Sequence, residues 1–288
     1  ADAAPLTADL THPVSLVSCD SKLVIPNTLF VCKGVKFKEE YLRSAMEQGA
    51  FAYVSEREYP AVPLPCIRVT DIRKAMGLLA DRAYGHPSGA LRITGITGTK
   101  GKTTTTHMIK SVLEAAGRKV GMIGTNGIYY MGRHKDTANT TPESYELQRL
   151  LRTMADAGCA CAVMEVSSHA LIQHRTAGLT FDVGVFTNLT QDHLDFHVTM
   201  ENYCDAKAIL FRNCGVGVVN GDDPWTPRLL KDATCQVRTY GVKSEADLRA
   251  ENVVLSANGI AFDAVTKTER VPIRVNIPGG FMVYNTLD

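Results

Sequence analysis

The sequence lacks the features that would indicate a membrane, an exported or a nucleic-acid-binding protein. It contains no run of about 18 apolar residues that could form a membrane-spanning helix. The formal net charge is only +1, which gives no electrostatic reason to expect nucleic acid or an anionic membrane as partner. The first residues show no basic stretch followed by an apolar one, so no signal peptide is predicted. We therefore expect a cytoplasmic protein.

Closely spaced cysteine pairs are also missing. The chain has eight cysteines, but none of them form a CxxC pair, and only Cys159 and Cys161 are near each other. A structural zinc site usually needs two close pairs. We expect reduced, partly buried thiols, as in proteins of a reducing compartment.

The length of 288 residues favours two domains. Turn-forming residues at 84–89 predict a linker, so we place one domain at 1–88 and the other at 89–288. In the first, helical spacing is found at 39–49 and again near Ile72–Ala83. In the second, short apolar strands alternate with helices. This pattern predicts an α/β fold with a mainly parallel sheet, in which ligands bind at the carboxyl ends of the strands.

A glycine-rich turn stands between a predicted strand and a predicted helix of the second domain. It reads Gly98-Thr99-Lys100-Gly101-Lys102-Thr103-Thr104. In this context backbone amides at the helix N-terminus bind phosphate oxygens, Lys102 can reach the outer phosphates, and the Thr103 hydroxyl can bind Mg²⁺. The general phosphate-loop pattern has a glycine where this chain has Ile96. The turn by itself predicts binding of a nucleoside triphosphate.

Other polar residues follow the next predicted strands. Glu165 ends an apolar strand, where a carboxylate could hold Mg²⁺ directly or through water, or could simply be a surface residue. His193 could be a ligand of a second divalent ion or only a hydrogen-bonded side chain, and we expect the latter for His169 and His197. Lys207 lies on an amphipathic helix, where elementary physical chemistry predicts a solvated or snorkelling lysine.

Together these segments resemble the Mur ligases, the ATP-dependent amide-forming enzymes of peptidoglycan synthesis. The resemblance spans nearly the whole chain, and the run from Ser167 to Arg175 is similar to the branch that adds the third peptide residue. The stretches that carry it are 19–22, 29–31, the phosphate loop, 139–142, 165–175 and 188–207.

The resemblance implies an architecture and an activity. The first domain would bind the UDP end of the substrate, and the P-loop-type central domain would bind ATP with Mg²⁺. Its partners would be UDP-N-acetylmuramoyl-L-alanyl-D-glutamate and an amino acid, diaminopimelate or lysine, joined by a monomeric enzyme. Family members have a third, Rossmann-like domain for ADP and the incoming amino acid, and this chain ends where that domain would begin. We therefore expect residues 1–288 to bind both ligands without forming the tripeptide alone.

The resemblance also implies roles for individual residues. The expected catalytic residues are Lys102, Glu165, His193 and Lys207. The expected metal ligands are Thr103, Glu165, His193 and Lys207, the last as a carbamate, because a lysine with a lowered pKa can react with CO₂. The expected nucleotide contacts are the loop residues 98–104, Asn188 and Asn285. The expected substrate contacts are Asn139, Thr140, Thr141, Ser167, Gln173, Arg175 and, for the uridine end, Ser21 with Lys36 and Phe37.

Two departures from the family pattern and two alternative functions bear on this interpretation. Met282 stands where the family often has asparagine, and Lys22 where it often has arginine. A folylpolyglutamate-type ligase would share the phosphate loop, but it normally lacks a separate uridine-binding first domain. A non-catalytic nucleotide-binding module is the other alternative. A GTPase is disfavoured because Asn188 is followed by Leu189 and not by the lysine of a guanine-reading Asn-Lys-x-Asp segment.

Overall fold

The computed structural model describes residues 13–34 and 37–288. Their contacts divide the chain into two compact units. The first unit comprises the described residues up to Pro87 together with Glu143–Arg152 and Gln173–Gly178. The second comprises Ser88–Pro142, Thr153–Ile172 and Leu179–Asp288. The functional division at residue 88 stays a prediction. Within the described part of the chain, none of the helices combines the length and apolar character that a bilayer-spanning helix needs.

The first unit is built on a four-stranded, fully parallel sheet with the strand order β1-β2-β3-β4. Its strands are β1 (Leu16–Ser18), β2 (Thr28–Val31), β3 (Ala50–Ser55) and β4 (Cys66–Arg68), and its helices are α1 (Glu39–Glu47) and α2 (Ile72–Ala83). Both helices predicted here are confirmed. The Asp71 carboxylate caps α2 by accepting the amides of Arg73 and Lys74. Gly49 follows α1 with a φ of 103°, a conformation that favours glycine.

Alternation along the strands produces two hydrophobic layers in this unit, because successive strand side chains point to opposite faces. Phe30 and Tyr53 pack with Leu42 of α1 on one face. Leu29 and Val54 belong to the layer that α2 covers on the other face. A parallel sheet buried on both faces is the usual result for βαβ units.

The second unit contains an eleven-stranded sheet of order β15-β14-β13-β12-β11-β10-β5-β9-β6-β7-β8. Its strands are β5 (Arg92–Thr97), β6 (Val120–Gly124), β7 (Gly127–Tyr130), β8 (Arg133–Lys135), β9 (Cys161–Glu165), β10 (Phe181–Phe186), β11 (Cys214–Asn220), β12 (Gln236–Gly241), β13 (Leu248–Ser256), β14 (Gly259–Val265) and β15 (Arg270–Val275). The helices after residue 88 are α3 (Lys102–Ala115), α4 (Ser144–Asp156), α5 (Ser168–Ile172), α6 (Leu194–His197), α7 (Met200–Ala208), α8 (Thr226–Leu229) and α9 (Phe281–Leu287). Residues 144–152 of α4 belong to the first unit.

The central strands of this sheet are parallel, and antiparallel pairs stand only at its two ends. The predicted α/β fold with a small N-terminal sheet and a mainly parallel second sheet is therefore confirmed. A hairpin at Asn258 and Gly259 joins β13 to β14. Helix α3 packs Ile109 and Leu113 against the buried Ile96 of β5. Strand β5 lies between β9 and β10, so the ends of all three strands meet at one edge.

Candidate functional site

The phosphate loop joins β5 to α3 through residues 98–101, as the sequence predicts. Gly98 and Gly101 have φ angles of 151° and 91°, which glycine adopts without strain. Neither position has room for a side chain. A β-carbon on Gly98 would collide with the Thr187 hydroxyl, and one on Gly101 would lie 2.6 Å from the amide oxygen of Asn285. Ile96, which stands where the general phosphate-loop pattern has a glycine, is a buried residue of β5. It therefore lies outside the turn.

The segment after β10 fixes the backbone of this loop. The Thr99 amide donates to the Asn188 carbonyl at 2.8 Å. The Asn188 side chain accepts from the Lys100 amide at 3.0 Å and donates to the Lys100 carbonyl at 2.9 Å. The Thr187 hydroxyl donates to that same carbonyl at 2.7 Å. Asn188, a predicted nucleotide contact, thus lies directly against the loop and holds its shape.

Two lysines converge on one carbonyl of the loop. The ammonium groups of Lys102 and Lys207 each donate to the Gly98 carbonyl oxygen at 2.9 Å, and Lys102 also reaches the Thr99 carbonyl. Lys207 is only 1% exposed. The expectation of a solvated or snorkelling lysine is therefore wrong. Its side chain points inward from α7, and its ammonium group lies 4.4 Å from the centre of the Tyr203 ring.

Burial makes the charged form of both lysines costly. It lowers the pKa of Lys207 well below its ordinary value, and the positive charge of Lys102 lowers it further. Burial also lowers the pKa of Lys102, although the carboxylates of Glu165 and Asp192 oppose that shift. Within residues 13–34 and 37–288, neither lysine forms an ion pair. A buried and a partly buried amine without a paired carboxylate favour the binding of an anion.

Glu165 is a buried carboxylate at the end of β9, with 1% of its surface exposed. One of its oxygens accepts from the Thr103 hydroxyl at 2.9 Å and from the Thr125 amide at 2.8 Å. The other accepts from the Thr125 hydroxyl at 3.2 Å. The reading as a surface glutamate is thereby excluded. A carboxylate beside a threonine hydroxyl is a pair of hard oxygen donors that fits Mg²⁺.

No larger metal-binding group accompanies that pair. Among the described residues, no three histidine, cysteine, aspartate or glutamate side chains come together as possible metal ligands. A cation at Thr103 and Glu165 would therefore need oxygens from water or from a bound phosphate, which is the usual arrangement for Mg²⁺.

Three of the predicted substrate contacts of the second unit lie around Glu165: Thr140, Thr141 and Ser167. The Thr141 hydroxyl donates to the Glu165 carbonyl at 3.0 Å and accepts from the Ser167 amide at 3.1 Å. The Thr140 hydroxyl lies 3.0 Å from that of Thr125. Asn139 is in an exposed turn, where its carbonyl accepts from the Thr137 hydroxyl.

The histidines form an aromatic group at the start of α6. His193 adopts a φ of 51°, and its ring centre lies 5.0 Å from that of His169. The His197 ring is buried, and its Nε2 lies 2.8 Å from the Ser168 hydroxyl. The hydrogen-bonded role predicted for His197 is confirmed. His193 stands apart from the others because its side chain faces the cleft at the loop.

A cleft of about 410 Å³ brings several of the predicted residues of this unit together. Its lining comprises Thr99, Lys100, Gly101, Lys102, Thr103, Thr104, Thr125, Thr140, Glu165, Ser167 and His193. Lys207 and Asn285 are not part of that lining. Lys207 contacts the loop through Gly98, and Asn285 packs against Gly101. Met282, which replaces the asparagine common in the family, is a buried core residue.

The first unit contains the remaining predicted substrate contacts. Ser21 begins a short 3₁₀ turn, in which the Asp20 carboxylate accepts the Lys22 amide. Arg175 donates to the Gln173 side-chain oxygen at 2.9 Å, and its Nε lies 3.1 Å from the Glu143 carboxylate. Lys36 lies outside the described residues.

Phe37, the other residue suggested for the uridine end, packs its ring against Tyr41 and Tyr59. It is a partly buried member of the hydrophobic layer beside α1. The packing explains its position in the first unit and leaves its substrate role a prediction.

Sequence reasoning missed two residues of the site. Thr125 binds both oxygens of Glu165, and Tyr203 lies between Lys207 and Thr99. Thr125 directly follows β6, so the rule that ligands bind at the carboxyl ends of parallel strands could have found it. Tyr203 precedes Lys207 by four residues on one helix, a spacing that makes side chains neighbours.

Comparison with known proteins agrees with this geometry. The Mur ligase middle domain matches residues 96–288. A UDP-N-acetylmuramoyl-L-alanyl-D-glutamate--2,6-diaminopimelate ligase of Clostridium botulinum is 42% identical over 280 residues, which are 95% of this chain and 58% of that protein. The enzyme of the same description from Geobacillus thermodenitrificans is 44% identical over 279 residues, covering 93% of this chain and 57% of the relative.

A solved structure extends the similarity to three dimensions. A UDP-N-acetylmuramoyl-L-alanyl-D-glutamate--2,6-diaminopimelate ligase superposes with a TM-score of 0.87 at 29% identity, over 98% of this chain and 60% of that one. The chain thus spans a little under three fifths of the length of the two sequence relatives. With the domain match over residues 96–288 and a phosphate loop set against Glu165, Lys102 and the buried Lys207, the chain belongs to the Mur ligase family.

Proposed function

We propose that this chain carries the nucleotide and UDP-substrate sites of an ATP-dependent amide ligase of peptidoglycan precursor synthesis. The ligase would join a diamino acid to the D-glutamyl carboxylate of UDP-N-acetylmuramoyl-L-alanyl-D-glutamate. The names of the most similar relatives favour 2,6-diaminopimelate over lysine as that amino acid. Residues 1–88 would bind the UDP end, and residues 89–288 would bind ATP.

One observation carries the proposal. The ends of three neighbouring parallel strands bring Lys102, Thr103, Glu165 and His193 to one cleft, which the phosphate loop borders. The first-turn amides of α3 have no partner within the helix, and the positive end of its dipole favours phosphate oxygens. Lys102 is close enough to the loop to exchange its carbonyl contacts for the outer phosphates of ATP.

The second unit also offers a place for Mg²⁺. Thr103 and Glu165 would hold a first ion, and Glu165, His193 and Lys207 as a carbamate would hold a second. When bound, these ions would neutralise charge on the transferring phosphoryl group. Burial keeps a larger fraction of Lys207 in the neutral amine form, which is the form that reacts with CO₂ and releases a proton.

The remaining residues would position the two substrates. Asn188 holds the loop in shape, and Asn285 packs against Gly101 where nucleotide phosphates would bind. The proposed contacts for the muramoyl-dipeptide are Asn139, Thr140, Thr141, Ser167, Gln173 and Arg175, with Ser21 for the uridine. A planar guanidinium such as that of Arg175 suits bidentate binding of a carboxylate.

The reaction would proceed in two steps. The D-glutamyl carboxylate attacks the γ-phosphorus of ATP, which forms an acyl phosphate and releases ADP. The incoming amine then attacks the acyl carbon, and the tetrahedral intermediate expels phosphate to leave the amide. In both steps Lys102 would stabilise negative charge on the phosphoryl oxygens.

Binding experiments test this proposal before turnover is measured. Isothermal titration calorimetry of residues 1–288 should show binding of a non-hydrolysable ATP analogue with Mg²⁺, and separately of the UDP-linked dipeptide. A non-hydrolysable GTP analogue and a folate serve as the competing ligands. Preference for the folate would favour the folylpolyglutamate-type alternative, and binding of neither the ATP analogue nor the UDP-dipeptide would refute the proposal.

A further inference from the structure

A buried tyrosine connects the phosphate loop to the helix that bears Lys207. Tyr203 is 1% exposed, and its hydroxyl lies 3.3 Å from the hydroxyl of Thr99 in the loop. The face of the same ring lies under the Lys207 ammonium group, 4.4 Å from the ring centre. One side chain therefore contacts both the loop and the lysine that shares the Gly98 carbonyl.

Counting protons assigns the direction of the hydrogen bond to Thr99. A threonine hydroxyl has one proton to donate. The Thr99 hydroxyl donates to the Thr190 carbonyl at 3.1 Å and accepts from the Thr190 amide at 3.0 Å. The Tyr203 hydroxyl must then be the donor to Thr99. Loss of the tyrosine hydroxyl would remove one of three hydrogen bonds that hold this loop side chain.

The His197 ring packs against the ring of Tyr203. Its ring is 5% exposed and lies 4.9 Å from the Tyr203 ring at an angle of 31°, while its Nε2 is hydrogen-bonded to the Ser168 hydroxyl. Burial, with the charges of His169 and Lys207, lowers the pKa of His197 to about 4. The ring is therefore neutral at neutral pH, and it adds no further positive charge beside Lys207.

We propose that Tyr203 and His197 are positioning residues that hold the phosphate loop in the conformation that binds nucleotide. Tyr203 fixes Thr99 through its hydroxyl, and His197, anchored on Ser168, fixes the ring of Tyr203. The kind of ligand rests on the proposed function, but the effect on the loop does not. Neither residue lies in the lining of the loop cleft, so each acts through its neighbours.

Hydrogen exchange and nucleotide binding together test the proposal. Tyr203→Phe removes the hydroxyl and keeps the ring, and His197→Ala removes the support while His197→Gln keeps a group that can bond to Ser168. Tyr53→Phe is the matched control, because Tyr53 is only 2% exposed and its hydroxyl accepts the Tyr59 amide in the first unit.

In Tyr203→Phe the amides of Thr99 and Lys100 should exchange about threefold to tenfold faster, the effect expected for loss of one hydrogen bond. The Kd of the Mg²⁺-bound ATP analogue should rise by a similar factor, about threefold to tenfold, with binding of the UDP-linked dipeptide unchanged. His197→Ala should act in the same direction, and His197→Gln should restore part of the loss. Tyr53→Phe should change neither the exchange nor the nucleotide affinity.

Several outcomes would overturn the inference. Loop exchange in Tyr203→Phe equal to that of the unmodified chain would show a role in stability alone, as would equal effects of Tyr203→Phe and Tyr53→Phe. If the unmodified chain bound no ATP analogue, the proposed function would fail. The exchange of Thr99 and Lys100 would still decide whether Tyr203 positions the loop.

Discussion

The buried and partly buried cations of the two units have different hydrogen-bonding and charge partners. In the first unit, Lys33 and Arg175 share one carboxylate, that of Glu143. The lysine and arginine side chains are 10% and 14% exposed, and the glutamate is 35% exposed. Each charge there has an opposite charge beside it. All three residues of this cluster belong to the first unit.

In the second unit, Lys102 and Lys207 share a carbonyl oxygen instead of a carboxylate. A neutral carbonyl compensates a buried ammonium group less than an ion pair does, and the two positive charges repel each other. Burial lowers the pKa of both lysines, and the charge of Lys102 lowers that of Lys207 further. We therefore expect the second cluster to be completed by an added anion, such as the phosphates of a nucleotide, whereas both cations of the first already contact a carboxylate.

Removal of Lys102 should have the largest effect on binding. In Lys102→Met, the Kd of the Mg²⁺-bound ATP analogue should rise by about 30-fold to 150-fold, because a hydrogen bond to a charged phosphate is worth roughly 2–3 kcal/mol. Isothermal titration calorimetry measures this effect. Lys33→Met removes a paired lysine of the first unit and should leave the nucleotide affinity unchanged. Equal losses in the two variants would show that the missing carboxylate partner of Lys102 has no bearing on nucleotide binding.

Replacement of Lys207 should change stability in the opposite direction to most core substitutions. Lys207→Met exchanges a buried amine without a carboxylate partner for an apolar side chain of similar length. We expect the free energy of unfolding of the second unit to rise by about 2 kcal/mol. Urea unfolding in CO₂-free buffer, followed by fluorescence of Trp225, the single tryptophan of the chain, measures it. A fall in stability would show that the Gly98 carbonyl and the Tyr203 ring already satisfy this lysine.

Lys102 and Lys207 differ in how much of their position could be predicted from the sequence. The strand–turn–helix context of Lys102 was predictable because glycine spacing and hydrophobic periodicity define it locally. The burial of Lys207 was not predictable from local patterns. Its helix, α7, is short, and Tyr203, Cys204 and Ala208 are buried in the same helix as Lys207. Which side of such a helix faces the protein depends on the strands and loops that pack against it.

The same reasoning separates Glu165 from Glu143. Glu165 ends a strand in the middle of a parallel sheet, so its position at the site follows from the order of strands. Glu143 pairs with Lys33, which precedes it by 110 residues. No local pattern encodes such a long-range pair, so the two residues could not be connected before their positions in the fold were known.

Loss of the shared carboxylate in the first unit should have a moderate cost. In Glu143→Gln, Lys33 and Arg175 lose their common ion pair, and we expect the free energy of unfolding of this unit to fall by about 1 kcal/mol. The value lies between the costs of exposed and of buried pairs, because Glu143 is 35% exposed and solvent screens part of its charge. Hydrogen exchange of the β3 core amides measures it. An unchanged exchange rate would show that the first cluster contributes no more than an ordinary surface pair.

The smallest effect is the pH dependence of this contribution. Burial alone would raise the pKa of Glu143, but the hydrogen bond and charge of Lys33, with Arg175 and Arg73, lower it overall from its ordinary value of 4.5. A carboxyl with a lower pKa in the folded state binds fewer protons there than in the unfolded state. Its stabilising contribution is therefore fully present above pH 4.5 and is lost as the pH falls through the folded pKa. The stability difference between the unmodified chain and Glu143→Gln should shrink over that acidic range. If that stability difference stayed constant below pH 4.5, pairing with Lys33 and Arg175 would not be what stabilises the ionised Glu143 carboxylate.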